Sequence, residues 1–122
     1  YRRIVDFLEK HDVKIHILDC DGKIDKLVPL WLEGGINCMF PLESAHTDPF
    51  KLKEIYGKDL LLMGAVDKVQ LIKGKDSIDA EMKRMRKLID IGGFIPHVDH
   101  RCPPDVTLEN YRYYIKKKRE IL

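Results

Sequence analysis

The sequence predicts a parallel α/β fold, and three observations carry that prediction. Four short runs, apolar almost throughout, end abruptly in acidic or histidine residues. Segments with apolar residues at helical spacing lie between them. Glycine or proline marks most of the junctions, so strand, polar tip and helix repeat along the chain. In parallel α/β folds the carboxyl ends of the strands gather loop residues from distant parts of the sequence, and ligands sit there. Four polar tips on one rim point to a site as well as a fold.

Residues 3–10 carry Ile4, Val5, Phe7 and Leu8 among charges, the spacing of an amphipathic helix. The first apolar run, Val13 to Leu18, meets Asp19-Cys20-Asp21-Gly22, where Asp-Gly signals a turn. His16, in the middle of that run, is expected to pack in the core or between sheet and helix. Ile24, Leu27, Val28, Trp31 and Leu32 then repeat at three and four, Pro29 is expected to kink or split this helix, and Gly34-Gly35 ends it. The second run, Ile36 to Phe40, leads into Pro41-Leu42-Glu43. Asp48-Pro49 opens the next helix with a cap and a first-turn proline, Phe50, Leu52, Ile55 and Tyr56 supply its buried side, and Gly57 closes it.

The third run, Leu60 to Gly64, reaches Ala65-Val66-Asp67, followed by a short helix or turn with Val69, Leu71 and Ile72. Asp76 or Ser77 is expected to cap a fourth helix whose stripe is Ile78, Met82, Met85, Leu88 and Ile89, and Gly92-Gly93 stops it. A methionine stripe at this spacing reads as core. The fourth run, Gly93 to Pro96, meets His97-Val98-Asp99-His100. After Pro103-Pro104, Thr107 caps a last helix with Tyr111, Tyr114 and Ile115 on its apolar face. Strand ends near residues 19, 42, 65 and 97 suit a (β/α)8 barrel, which takes about 250 residues in full, so four units make half of one. A small doubly wound sheet is the alternative. Because the chain starts at Tyr1, inside a helical segment, residues 1–122 read as one continuous piece of a longer protein.

Composition narrows the function classes. With 44% hydrophobic residues the chain can build a core, and 22 basic against 20 acidic residues leave a net charge of +2. That balance gives no general push toward nucleic acid or an anionic membrane. The local excess Lys116-Lys117-Lys118-Arg119 reads as a solvated helix end that complements the dipole. Cys20, Cys38 and Cys102 form no disulfide framework, and with no signal peptide or spanning segment the default location is the cytoplasm.

The tips carry the chemistry. Asp19 and Asp21 are two apart, so on an extended strand both face one side and Cys20 the other. Such a pair can bind a cation, hold a cationic group or share a proton, while Asp21 alone also suits a turn. His97 and Asp99 would share a side if their strand continued, with Val98 and His100 opposite, though the prolines that follow favour a loop. His100 is a candidate ligand or proton shuttle, with a surface histidine as its alternative. Cys102 reads as inert. Glu43 precedes a loop and is a candidate for the rim, whereas Asp67 also fits a helix N-terminal acid. His11 and His46 lack evident partners.

Asp-Cys-Asp-Gly at 19–22, Phe-Pro-Leu-Glu at 40–43, Gly-Ala-Val-Asp-Lys at 64–68 and Gly-Gly-Phe-Ile-Pro-His-Val-Asp-His-Arg-Cys-Pro-Pro-Asp-Val at 92–106 resemble the uroporphyrinogen decarboxylase family, with Glu109-Asn110 in keeping. The resemblance covers nearly the whole chain and implies the C-terminal half of that family's (β/α)8 barrel, the upstream half being absent. It implies one of two chemistries. Decarboxylases of porphyrin biosynthesis remove acetate carboxyl groups from a porphyrinogen without metal or organic cofactor, and His100 is similar in position to their last-strand histidine. Corrinoid-linked methyltransferases bind zinc through a His-x-Cys pair and a distant Cys, positions held here by Asp19, Asp21 and His100. An oxygen-rich set suits zinc or another divalent cation less thiophilically. The glycines that flank the decarboxylase histidine are replaced by Asp99 and Arg101.

These readings give an enzyme acting on a tetrapyrrole-type substrate by decarboxylation, with His100, Glu43 and Asp19 as catalytic candidates and Asp67, His97 and Asp99 as substrate-binding ones. The alternatives are a metal-dependent methyltransferase served by a corrinoid protein, and a non-catalytic barrel that binds a corrinoid protein or small molecule. The piece alone is expected to be inactive and to pair with the missing half-barrel or another copy.

Overall fold

A computed structural model describes residues 1–122 and shows four parallel strands in one sheet, in the order β1-β2-β3-β4. The strands are β1 Ile17–Asp19, β2 Cys38–Leu42, β3 Leu61–Val66 and β4 Phe94–Val98. They alternate with α1 Arg2–Glu9, α2 Val28–Glu33, α3 Pro49–Tyr56, α4 Lys68–Lys73, α5 Lys75–Ile91 and α6 Leu108–Ile121. Sequential strands that are spatial neighbours, with no reversal of order, match part of a TIM-type barrel and not the switch-point order of a doubly wound sheet.

Register sets the rim. Asp19 lies beside Phe40, Leu42 beside Gly64, and Val66 beside Val98, so all four chains leave the sheet at one end. Between Met39 and Leu42 the register slips, because three residues of β2 span what two of β3 span. Gly64 makes this close approach feasible: its φ is 113°, and a Cβ there would lie 2.7 Å from Leu42 N. Ala65 follows with φ 62°, a left-handed conformation in a side chain-bearing residue at the end of a strand.

The core lies on the helical side. Met39, Leu42, Leu62 and Val66 from the sheet pack with Leu52, Leu71, Ile78, Met82, Met85 and Leu88 from the helices, all buried. The methionine stripe of α5 is therefore core, as its spacing predicts. On the opposite face Ile17 and Ile95 are 53% and 58% exposed, with Phe40 and Met63 partly covered beside them.

Several local expectations change. The first strand is only three residues, because His16 turns its ring back to bond the carbonyls of Gly35 and Val13 at 3.0 and 3.1 Å. Pro29 kinks nothing: α2 begins at Val28, so the proline occupies its first turn, where no intrahelical N–H is needed. Neither Asp76 nor Ser77 caps α5, which starts from Gly74 directly after α4. Ile55 is 57% exposed, and of the α1 stripe only Val5 is buried, since Ile4 and Phe7 point outward. The caps at Asp48 and Thr107 are as expected, accepting from Phe50 and Lys51 and from Asn110.

Candidate active site

At the carboxyl end of the sheet the first and fourth tips converge around a cleft of about 500 Å³. Asp19 and Asp21 line it from β1 and its loop, Phe40 and Pro41 from β2, Met63 from β3, and His97, Val98, His100 and Arg101 from β4 and its loop. The alternation predicted at β1 holds, since Cys20 turns away and packs against the core. Asp21 and His100, 79 positions apart in sequence, bring Oδ1 and Nε2 to 3.6 Å. Both stay accessible, at 62% and 35% side-chain exposure, so the pair faces the cleft. The Phe40 ring leans on His97 with centroids 5.3 Å apart, an apolar floor beneath charged walls.

A second layer supports that mouth from behind. Asp99 is fully buried and accepts from Lys68 N–H at 3.2 Å and Ser44 N–H at 3.3 Å. The Lys68 ammonium lies 3.4 Å from Asp99 and 3.2 Å from Glu43. Glu43 in turn accepts the Gly22 N–H at 2.7 Å, which fixes the Asp21-Gly22 turn. Lysine 68 thus ties the loops after all four strands together. Below it, Arg84 donates to Ser44 Oγ, the Ala65 carbonyl and Glu81, and Glu81 accepts the Asp67 N–H. These bonds hold the strained Ala65 turn in place.

Burial is the largest influence on Glu43 and works to raise its pKa, yet the Gly22 bond and the Lys68 ammonium outweigh it and hold the carboxyl below its usual range. For Asp99 burial prevails over the Lys68 bonds, and the pKa is raised. Lys68 is drawn down by burial but driven up further by Glu43 and Asp99, so it stays charged.

Three candidates therefore do not face the cleft as expected. Glu43 has its carboxylate committed to Gly22 and Lys68, behind the rim. Asp67 caps α4, accepting from Val69 N–H at 2.9 Å and Gln70 Nε2 at 2.6 Å. Asp99 points into the protein and not beside His97, because β4 ends at Val98 and the chain turns there. Asp19, Asp21, His97 and His100 do share the cleft. No three His, Cys, Asp or Glu side chains of this chain stand together as a set that could hold a metal ion.

Sequence reasoning passed over Lys68, Ser44, Arg84 and Arg101 as site residues. Lys68 stood in the Gly-Ala-Val-Asp-Lys segment beside a cap, whereas Arg84, in a charge-rich helix, carries no signal that separates it from a solvated face.

The family model described as uroporphyrinogen decarboxylase (URO-D) matches residues 1–121. The chain belongs to the uroporphyrinogen decarboxylase family. No curated protein matches it. Membership covers α1 through the end of α6, so the cleft, the supporting layer and the Asp21–His100 pair all lie within the matched part of this uroporphyrinogen decarboxylase-family domain. No helix is long and apolar enough to cross a membrane.

Proposed function

We propose that the protein carrying this chain decarboxylates a tetrapyrrole-type substrate at the rim cleft. The observation that supports this most is the Asp21–His100 pair, an imidazole and a carboxylate within 3.6 Å on an accessible, partly apolar cleft. Decarboxylating an acetate arm of a pyrrole needs a proton first on a ring carbon. The cationic ring then accepts the electron pair as the bond to the carboxyl carbon breaks and carbon dioxide leaves. A proton returns to the methylene carbon to make a methyl group, and the ring carbon gives its proton back.

His100 is suited to deliver and recover that proton, with Asp21 orienting its ring. Asp19 supplies a second carboxylate against the ring's transient positive charge. Phe40 and Met63 offer the macrocycle an apolar seat, and Arg101 a cation for an acid arm. Glu43, Lys68 and Asp99 act as positioning residues that hold the loops in register.

The test is turnover of uroporphyrinogen by the protein that contains this chain. His100→Ala is expected to lower it by roughly 10²–10⁴, the usual worth of a positioned acid–base group. Unchanged turnover in that variant refutes the assignment. A stoichiometric divalent metal that is lost in Asp19→Asn and Asp21→Asn, without uroporphyrinogen turnover, supports corrinoid-linked methyl transfer in its place.

A further inference from the structure

The sheet ends on two open edges, and the backbone decides what each can accept. On the β1 side, Cys20 N–H bonds the Phe40 carbonyl and Cys38 N–H bonds the His16 carbonyl, so even-numbered residues face β2. Ile17 and Asp19 therefore turn their N–H and carbonyl groups to the open side. On the β4 side, Leu62 N–H bonds the Gly93 carbonyl and Asp99 N–H bonds the Val66 carbonyl, which leaves Phe94 and Pro96 facing outward. Pro96 offers a carbonyl there and no donor, as suits an edge strand. Beyond it, α6 stands beside Val98.

These two edges match each other. In a parallel ladder a residue whose polar groups face its neighbour lies beside one whose groups face away. A β1 laid along β4 thus sets Ile17 beside an odd-numbered residue such as Ile95 or His97. Ile17 and Ile95 both point to the face opposite the helices, and each is more than half exposed. Pairing in this phase joins apolar face to apolar face.

One chain cannot join its own edges, because β2 and β3 lie between them. Its sheet does curl toward closure: the loops after β1 and β4 meet across the concave side, where Asp21 and His100 stand 3.6 Å apart. Four strands are half of the eight that close a TIM-type barrel. The exposed area agrees. A folded chain of 14.3 kDa ordinarily exposes about 6,800 Å², whereas this one exposes 7578 Å². The surplus, about 800 Å² per copy, is what each partner contributes to an interface of standard size.

We propose that two copies of this chain associate about a two-fold axis, β4 of each pairing with β1 of the other, to close an eight-stranded barrel. Both clefts then open at one mouth. The pairing does not depend on the reaction assigned to the cleft.

Sedimentation of the 122-residue chain over a range of concentrations tests this, and a reversible monomer–dimer equilibrium is expected. Ile17→Asp and Ile95→Asp alter side chains already exposed in the single copy, so circular dichroism should show the fold retained. Each should weaken dimerisation by about tenfold or more, since a charge meets an apolar seam. Ile55→Asp, exposed on α3 away from both edges, should not. Mixing the two edge variants should restore association part-way, because the mixed pair keeps one unaltered seam. Hydrogen exchange needs no variant: the amides of Ile17, Asp19 and Phe94 should slow as concentration rises.

A chain that stays monomeric throughout, or edge amides that ignore concentration, overturns the proposal. Edge variants that associate as the wild type does also overturn it. A mixture no stronger than its components means that each edge meets its own kind, which is equally fatal. Growth beyond two copies means that the edges meet without closing, and that result refutes the barrel.

Discussion

Lys68 Nζ stands 3.2 Å from Glu43 Oε1, joining the loop after β3 to the loop after β2, while the same ammonium neutralises the buried Asp99. The cation sits where four loops meet, so its loss is felt at the cleft without its touching a ligand.

Removing it should be costly. Lys68→Met leaves Asp99 as a buried carboxylate without a countercharge, and breaking such a pair costs about 3–5 kcal/mol. Adding Asp99→Asn should recover much of that loss, since the remaining bonds are to backbone N–H groups. Urea denaturation of the two single variants and the double variant checks this through the non-additivity of the cycle.

Acid should act on the two carboxylates in opposite senses. Glu43 has a folded pKa below its ordinary 4.5, so its contribution is present above that value and is lost as pH falls through the folded pKa. Asp99 has a folded pKa above its ordinary 3.8, so its ionisation costs stability as pH rises through that window. Asp99→Asn should therefore steepen the loss of stability on acidification, and Glu43→Gln should flatten it. Chemical denaturation at a series of pH values is the measurement; equal slopes in both variants contradict it.

Gly64 should not tolerate a side chain. An alanine Cβ would lie 2.7 Å from Leu42 N and would force φ 113°, which L residues rarely adopt. Backbone must move, so Gly64→Ala is expected to cost about 2 kcal/mol or more, in the range of strained positions. The same substitution at Gly22 meets nothing within 4 Å and carries only the strain of its positive φ. Thermal midpoints of the two variants rank these contributions.

How much of this was legible in the sequence follows from how far each signal reaches. Asp48-Pro49 and Thr107 were readable because a cap bonds residues two or three positions ahead. The four strands and their shared rim were readable because apolar runs between helical patterns leave few topologies. The side taken by Asp19 and Asp21 followed from strand alternation. Glu43 was read toward the rim, and the side taken by Asp99 was left conditional on its strand continuing; both turn inward. What turns them inward is Lys68, 25 and 31 positions away in sequence, a contact that no local pattern encodes. Pro29 misled because the helix starts at Val28, four residues after the stripe begins at Ile24, which moves the proline from interior to first turn. Tyr114 looked like core and is core, because apolar spacing on a helix reports the face that packs.

The convergence of the first and last tips is tested most directly by binding of an octacarboxylate porphyrin to the wild-type chain and to Asp21→Asn, His100→Ala and the double variant. Asp21 and His100 in one cleft predict saturable wild-type binding, weakening in each single variant, and a double variant little worse than the worse single. Full additivity, or binding that ignores both substitutions, would mean that the two residues do not serve a common ligand.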